Sequence, residues 1–122
     1  MKRVLIVDDA LIAQVILERI LTSAGYEVAG VVSNGNQACD ALRTTKPDLV
    51  LLDISIPGKG GMQVLKEMKA EFPEIPVVMC SALRLDTKVD QATELGAQGY
   101  VVKPINSAEL LSTLEEVFQK AA

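Results

Sequence analysis

Three carboxylates, one hydroxyl and one amine stand at comparable places in this sequence. Asp8 and Asp9 follow a short apolar run, Asp53 closes a second, Ser81 follows a third and Lys103 follows a fourth. Gathered at one edge of a sheet about 5 Å apart, the three carboxylates would repel by roughly 3 kcal/mol per pair at an effective dielectric of about 20. A cation must offset that repulsion. A few hard oxygen ligands open to solvent on one side suit Mg²⁺, which takes one or two carboxylates and keeps several waters. Lys103 supplies a compact ammonium, and Ser81 a hydroxyl between the two. Metal, ammonium and hydroxyl form a clamp for the three oxygens of a transferring phosphoryl group, with Asp53 placed as the nucleophile.

The rest of the chain must bring these groups together. Leu49-Val50-Leu51-Leu52 is too short for a helix and is stopped by the turn at Asp53-Ile54-Ser55-Ile56-Pro57-Gly58, so it reads as a parallel strand buried on both faces. Arg3 to Val7 reads the same way. Between them, Leu11, Ile12, Val15, Ile16, Leu17, Ile20 and Leu21 recur at helical spacing, with Gln14, Glu18 and Arg19 on the other side and Gly25 as the stop. Tyr26 to Val32 is a second strand, whose poor alternation is expected from cover on both faces, and Ser33-Asn34-Gly35-Asn36 is a turn. A helix from about Gln37 to Thr45, with Ala38, Ala41 and Leu42 inward, precedes the Asp53 strand. After the Pro57 to Gly61 loop, Met62, Val64, Leu65, Met68 and Phe72 mark a third helix. Pro76 to Cys80 is the fourth strand, Asp86 to Leu95 a helix with a thin apolar stripe, and Gly99 to Val102 the fifth strand. Asn106-Ser107-Ala108-Glu109 starts the last helix, which buries Leu110, Leu111, Leu114, Val117 and Phe118.

Five strands alternating with five helices predict a doubly wound α/β fold, a parallel sheet in the order 2-1-3-4-5 of the flavodoxin type, in one domain over residues 1–122. Its switch point lies between the first and third strands. Asp8, Asp9 and Asp53 are then neighbours at the carboxyl edge, where such sheets bind ligands.

Composition narrows the function classes. At 122 residues the chain can bury roughly two thirds of its unfolded surface without staples. A net charge of −4 argues against nucleic-acid and anionic-membrane surfaces. Cys39 and Cys80 have no ligand spacing and read as reduced thiols of a cytoplasmic protein. The Val4 to Val7 run is too short for a signal peptide, and no stretch can span a bilayer. There is no histidine, which excludes Ser-His-Asp catalysis, His-ligated zinc and a phosphohistidine on this chain.

Taken together, these residues carry a resemblance. Val7-Asp8-Asp9, Asp53 followed by Pro57-Gly58, Ser81-Ala82, Tyr100 and Lys103-Pro104 resemble, in order and placement, the receiver domain of two-component response regulators, similar to the single-domain chemotaxis regulators. The resemblance implies that Asp53 accepts a phosphoryl group from a histidine kinase, a histidine phosphotransfer domain or a small acyl phosphate. It implies Mg²⁺ ligation by Asp9, Asp53 and the backbone carbonyl of Ser55, with Asp8 acting through water. Ser81 and Tyr100 become the switch pair, Lys103-Pro104 the basic residue with its usually cis proline, and the fourth helix, fifth strand and last helix the surface that changes for a downstream protein. Such a chain is not an enzyme toward other substrates, although it would catalyse its own phosphorylation and slow dephosphorylation. It would act as a monomer or a phosphorylation-promoted dimer. The chain stops just after the last helix, which leaves open a stand-alone regulator or a piece of a longer protein.

Each residue alone has a plainer reading. Asp8 can cap a helix, Asp9 can sit in a first helical turn, Ser81 can cap the next helix, Lys103 can be a solvated cation and Tyr100 an edge aromatic. Gly60-Gly61 reads as a flexible helix entry. Of the rival functions, an Asp-nucleophile phosphatase wants a second acid where Ser55 stands, and a flavin or cobalamin module wants a glycine-rich loop or a histidine. A binding module that has lost phosphorylation keeps the fold without needing the intact acidic set. Ser55 and Leu83, two residues after Asp53 and Ser81, correspond in the family to positions flanking the hydrolytic water. An apolar Leu83 cannot position that water by hydrogen bonding, so the phosphoryl lifetime should exceed that of Leu83→Glu, measured by loss of label after the donor is removed; a shorter native lifetime would contradict this.

Overall fold

The computed structural model describes residues 2–82 and 86–121. Strands β1 (Arg3–Val7), β2 (Glu27–Val32), β3 (Leu49–Asp53), β4 (Val77–Ser81) and β5 (Gly99–Val102) alternate with helices α1 (Leu11–Ser23), α2 (Ala38–Thr45), α3 (Gly61–Glu71), α4 (Asp86–Glu94) and α5 (Ser107–Ala121). All pairings are parallel and the order is β2-β1-β3-β4-β5, as the alternating pattern requires.

The side chains of the three central strands divide between two layers. Leu5, Val7, Val50, Leu52, Val77 and Met79 face α2, α3 and α4, where they meet Leu42, Leu65 and Met68. Val4, Ile6, Leu49, Leu51, Val78 and Cys80 face α1 and α5, where they meet Leu17, Leu21, Leu110 and Leu114. Every residue of β3 is buried. At roughly 2 kcal/mol for each fully buried aliphatic side chain, this strand is, with the equally buried β4, among the best-anchored segments of the fold, and Asp53 is its last residue.

Three features differ from the expectations of pattern. β2 alternates poorly because it is an edge strand with partial cover, its Glu27 and Val31 exposed, and not because both faces are sealed. A break in register between Val4 and Leu5 carries β1 past Ala29. In α1 only the second half packs: Leu17 and Leu21 are buried, but Leu11 and Ile12 are 72% and 76% exposed, and Val15 and Ile16 are exposed as well. The first two turns lie at the carboxyl edge of the sheet, where Lys103, Pro104 and Ile105 are the neighbours with which Ile12 and Ile16 line a shallow groove of about 240 Å³. Helical spacing of apolar residues reports a face; it does not report whether anything covers it.

The α5 start is as read, with Asn106 Oδ1 accepting the Glu109 amide at 3.0 Å. At the opposite edge of the sheet, Arg3 fastens three segments. Its amide donates to Asp48 Oδ2 at 2.8 Å, its Nε to Glu27 Oε2 at 2.7 Å, and its guanidinium also reaches the Thr45 carbonyl. α4 is lightly held: among its residues with described side chains, Ala92 alone is buried. Among the described residues no helix is long and apolar enough to cross a membrane.

Candidate functional site

β1 and β3 are adjacent and end at the same level, Val7 opposite Leu52. Residues following these strands therefore meet. One oxygen from each of Asp8, Asp9 and Asp53 lies within 4.8 Å of the others. Asp8 and Asp53 are only 1% and 5% exposed, whereas Asp9 is exposed, so the cluster has a dry floor and a wet rim.

Each buried carboxylate spends one oxygen on the backbone. Asp8 Oδ1 accepts the amide of Ala10 at 2.9 Å, and Asp53 Oδ1 accepts the amide of Ser55 at 3.1 Å. The other two oxygens face Lys103. Its Nζ lies 2.7 Å from Asp8 Oδ2 and 3.2 Å from Asp53 Oδ2. Contact with Asp53 is a hydrogen bond, while Asp8 Oδ2, although close to the ammonium, has no well-directed hydrogen bond among the described residues. Since α1 starts only at Leu11, Asp8 and Asp9 are not first-turn carboxylates; Asp8 turns the chain into the helix through Ala10.

Burial pushes the Asp53 carboxyl above its ordinary value, and the nearby Asp8 charge adds to this, while the Ser55 amide and Lys103 oppose it. For Lys103 burial acts downward, but the Asp8 and Asp53 carboxylates outweigh it and hold the ammonium above its usual range. The site therefore retains its own cation at neutral pH. Cys80 sits opposite Asp53 in the ladder, and burial pushes its thiol up to about 12, Lys103 opposing and the two carboxylates adding.

The remaining expected residues are placed as follows. Ser81 ends β4, buried, one residue past the partner of Asp53, and its carbonyl accepts the Lys103 amide at 2.8 Å. The Lys103-Pro104 bond is cis. Ser55 is exposed in the loop after β3. Tyr100 pairs with Met79 and is half-buried against the α2, α3 and α4 layer, two strands across from β3 and one residue short of the level of Asp53. Leu83 lies outside the described residues.

Two residues were missed by pattern. Gln14 looks like a solvent-face residue of α1, yet its Nε2 donates to the Asp8 carbonyl at 2.6 Å and to Ser33 Oγ at 3.0 Å; an amide among apolar neighbours was the signal. Gly61 is not a flexible entry. Its amide donates to the Ile54 carbonyl at 3.0 Å, and a Cβ there would collide with the carbonyl oxygen of Asp53 and lie 2.5 Å from Ile54 Cα. Only glycine lets α3 start so close to the end of β3.

The donor set is all oxygen, half-buried and open at Asp9, and it includes a buried carboxylate oxygen without a directed hydrogen bond among the described residues. These residues fit a small hard divalent cation. A doubly wound sheet with such an acidic pocket at its switch point, reached by Lys103 from the end of β5, defines a class of α/β domains that bind ligands at the carboxyl ends of their strands. Residues 4–115 match the response regulator receiver domain family. The chain is 39% identical to the chemotaxis protein CheY of Thermotoga maritima over 116 residues, 95% of this chain and 97% of that one. It is 39% identical to the protein CcdB of Bacillus subtilis over 96% of this chain and 98% of that one. Among solved structures, a chain of the CheX-CheY-BeF3-Mg²⁺ complex from Borrelia burgdorferi superposes with a TM-score of 0.93 at 30% identity, over 96% of this chain and 89% of that one. The chain belongs to the response regulator receiver family and is a CheY-like receiver domain of two-component signalling.

The raised Asp53 carboxyl has a consequence for stability. Because the unfolded chain gives up this proton more readily than the folded one, the folded state is penalised above the folded pKa, and the penalty fades as pH falls through it. Asp53→Asn should therefore raise the melting temperature at pH 7 by a few degrees, and the gain should shrink as pH falls toward the ordinary carboxylate range. Thermal unfolding monitored by circular dichroism between pH 4 and 7 reads this; an unchanged or lower melting temperature at pH 7 would contradict it.

Proposed function

We propose that this chain is the phosphoacceptor of a two-component phosphorelay, with Asp53 as the acceptor. One observation carries the reading: the Lys103 ammonium is held between the buried Asp8 and Asp53 oxygens at the carboxyl edge of the sheet. In the reaction, Asp53 Oδ attacks phosphorus of a phosphohistidine, the P–N bond breaks, the imidazole leaves with the bonding pair, and an aspartyl phosphate forms. Water later attacks phosphorus and returns Asp53 and inorganic phosphate. Asp9, Asp53 and the Ser55 carbonyl would hold Mg²⁺, with Asp8 acting through water; the ion supplies charge neutralisation for the phosphoryl oxygens. Lys103 moves from carboxylate to phosphoryl oxygen without changing protonation, which its raised pKa supports. Lacking histidine, the chain cannot be the phosphohistidine side of this exchange. It is not an enzyme on other substrates.

The partners follow from the surface. For transfer, the donor phosphorus must come within about 3–3.5 Å of Asp53, so the donor has to close over the carboxyl edge. The uncovered apolar residues Leu11, Ile12, Val15 and Ile16 border that edge together with Pro104 and Ile105. A helical face of this kind suits an apolar helix of a histidine kinase or histidine phosphotransfer domain. Phosphorylation adds about two negative charges, toward which Ser81 turns; Tyr100 then moves inward and the lightly held α4 shifts, changing the α4, β5 and α5 surface for a downstream protein. A cytoplasmic location accords with this role.

Intact mass after incubation with acetyl phosphate and Mg²⁺ tests the acceptor. A single phosphoryl adduct is expected, absent in Asp53→Asn and with EDTA. If neither acetyl phosphate nor a phosphorylated partner labels the chain, it is a phosphorylation-independent binding module. The docking face makes a separate prediction: Ile12→Glu and Ile16→Glu should slow transfer from a phosphorylated partner protein tenfold or more and leave labelling by acetyl phosphate within about twofold. Equal loss with both donors would place these residues in the chemistry and not in docking.

A further inference from the structure

The loop after Asp53, residues 54–60, carries Ser55 and is held by a segment remote in sequence. The turn between β2 and α2 is capped by Asn34, whose Oδ1 accepts the Asn36 amide at 2.7 Å. It presents the buried Gly35 to the loop. The Gly35 amide donates to the Pro57 carbonyl at 3.0 Å. A Cβ on Gly35 would collide with the Lys59 carbonyl oxygen and lie 2.9 Å from its carbon. One residue on from Pro57, Gly58 adopts φ +77°, and a Cβ there would meet Asn34 Oδ1 at 2.7 Å and Asn36 Nδ2 at 2.8 Å. The tip of the loop thus rests on the Asn34-Gly35-Asn36 turn at both Gly58 and Lys59. Its two ends are fixed otherwise: the Ile54 amide donates to the Cys80 carbonyl at 3.1 Å, and the Gly61 amide to the Ile54 carbonyl. Between these anchors, Ile56 is buried in the core and Ser55 is exposed with its amide on Asp53 Oδ1.

We propose that Gly35 is a positioning residue for the divalent cation site: the β2–α2 turn, through the Gly35 amide on Pro57 and the space Gly35 leaves for Lys59, sets the arc of the acceptor loop and with it the placement of Ser55 beside Asp53. This rests on the reading that Asp9, Asp53 and the Ser55 carbonyl bind Mg²⁺. Any side chain at position 35 pushes on backbone, which cannot swing away as a side chain end can, so the loop itself must shift. The Ser55 amide on Asp53 Oδ1 shifts with it, changing both the carbonyl offered to the ion and the carboxylate oxygen left for it. Groups that orient metal ligands without touching the metal are worth about 10- to 100-fold in affinity.

Other glycines supply matched controls. At Gly60, in the same loop, a Cβ meets nothing within 4 Å among the described residues and φ is −65°. At Gly30, on β2, a Cβ makes contacts of 3.4 Å and longer with side chains alone. The experiment is calorimetric titration of Mg²⁺ into the native chain, Gly35→Ala, Gly60→Ala, Gly30→Ala and Asn34→Ala, with amide chemical shifts of Ser55 and Gly61 recorded without metal. Gly35→Ala is expected to weaken Mg²⁺ about tenfold or more and to move the Ser55 and Gly61 amides, while Gly60→Ala and Gly30→Ala bind within about twofold of the native chain. Should Gly35→Ala fail to fold, Asn34→Ala decides: it frees the turn without adding bulk and should weaken Mg²⁺ several-fold with the same amides displaced. Native affinity in a folded Gly35→Ala, or an equal loss in Gly60→Ala, overturns the assignment. Absence of Mg²⁺ binding by the native chain would overturn the metal reading itself and this assignment with it.

Discussion

Two carboxylates cannot be buried side by side at the end of an apolar sheet unless something positive lies between them. In this chain Lys103 does so, 2.7 Å from one and 3.2 Å from the other. The constraint is severe because the sheet beneath is so dry: β3 and β4 are buried along their whole length. In that setting an unpaired carboxylate is costly, and the site is stable only as a set. Asp8, Asp53 and Lys103 come from β1, β3 and the end of β5, so strand order itself is locked to the electrostatics. A sheet in another order would strand at least one charge.

The same arrangement explains why the site is poised and not closed. Each buried carboxylate uses one oxygen on a local amide and leaves the other to the ammonium. Among the described residues neither carboxylate is saturated, since each can accept more contacts than it has there. An incoming cation or phosphoryl group meets oxygens already aimed at one point. The opposite edge behaves differently, for there Arg3 joins β1, β2 and the entry to β3. One end of the sheet is fastened and the other is left responsive.

Much of this was legible in residue order. The apolar runs ending at Val7, Leu52, Cys80 and Val102 give the strands, and their alternation with helices gives the sheet order and hence the meeting of Asp8, Asp9, Asp53 and Lys103. Periodicity failed where it was asked about cover. It could not tell that α1 leaves Leu11 and Ile12 bare or that β2, already an edge in the predicted order, is only partly covered, because burial depends on the neighbour and not on the element. It failed again for contacts between loops: Gly35 against Lys59 and Gly61 against Asp53 leave no periodic trace. Gln14 fell between these cases, a polar residue read as facing water that turned toward the Asp8 carbonyl.

On the proposed reading, Cys80 has a bearing on how long a phosphorylated Asp53 would last. An aspartyl phosphate is a mixed anhydride, and a neighbouring thiolate would capture its acyl carbon, expel phosphate and leave a thioester bridging β3 and β4. Cys80 is the ladder partner of Asp53, and its thiol is pushed up to about 12 by burial. At neutral pH only about one molecule in 10⁵ then carries the thiolate, the nucleophilic form. In the phosphorylated state proposed above, sulfur would fill space beside the anhydride as an inert hydrocarbon does, and water entering from the open rim, not the protein's own side chain, would be left to end the signal.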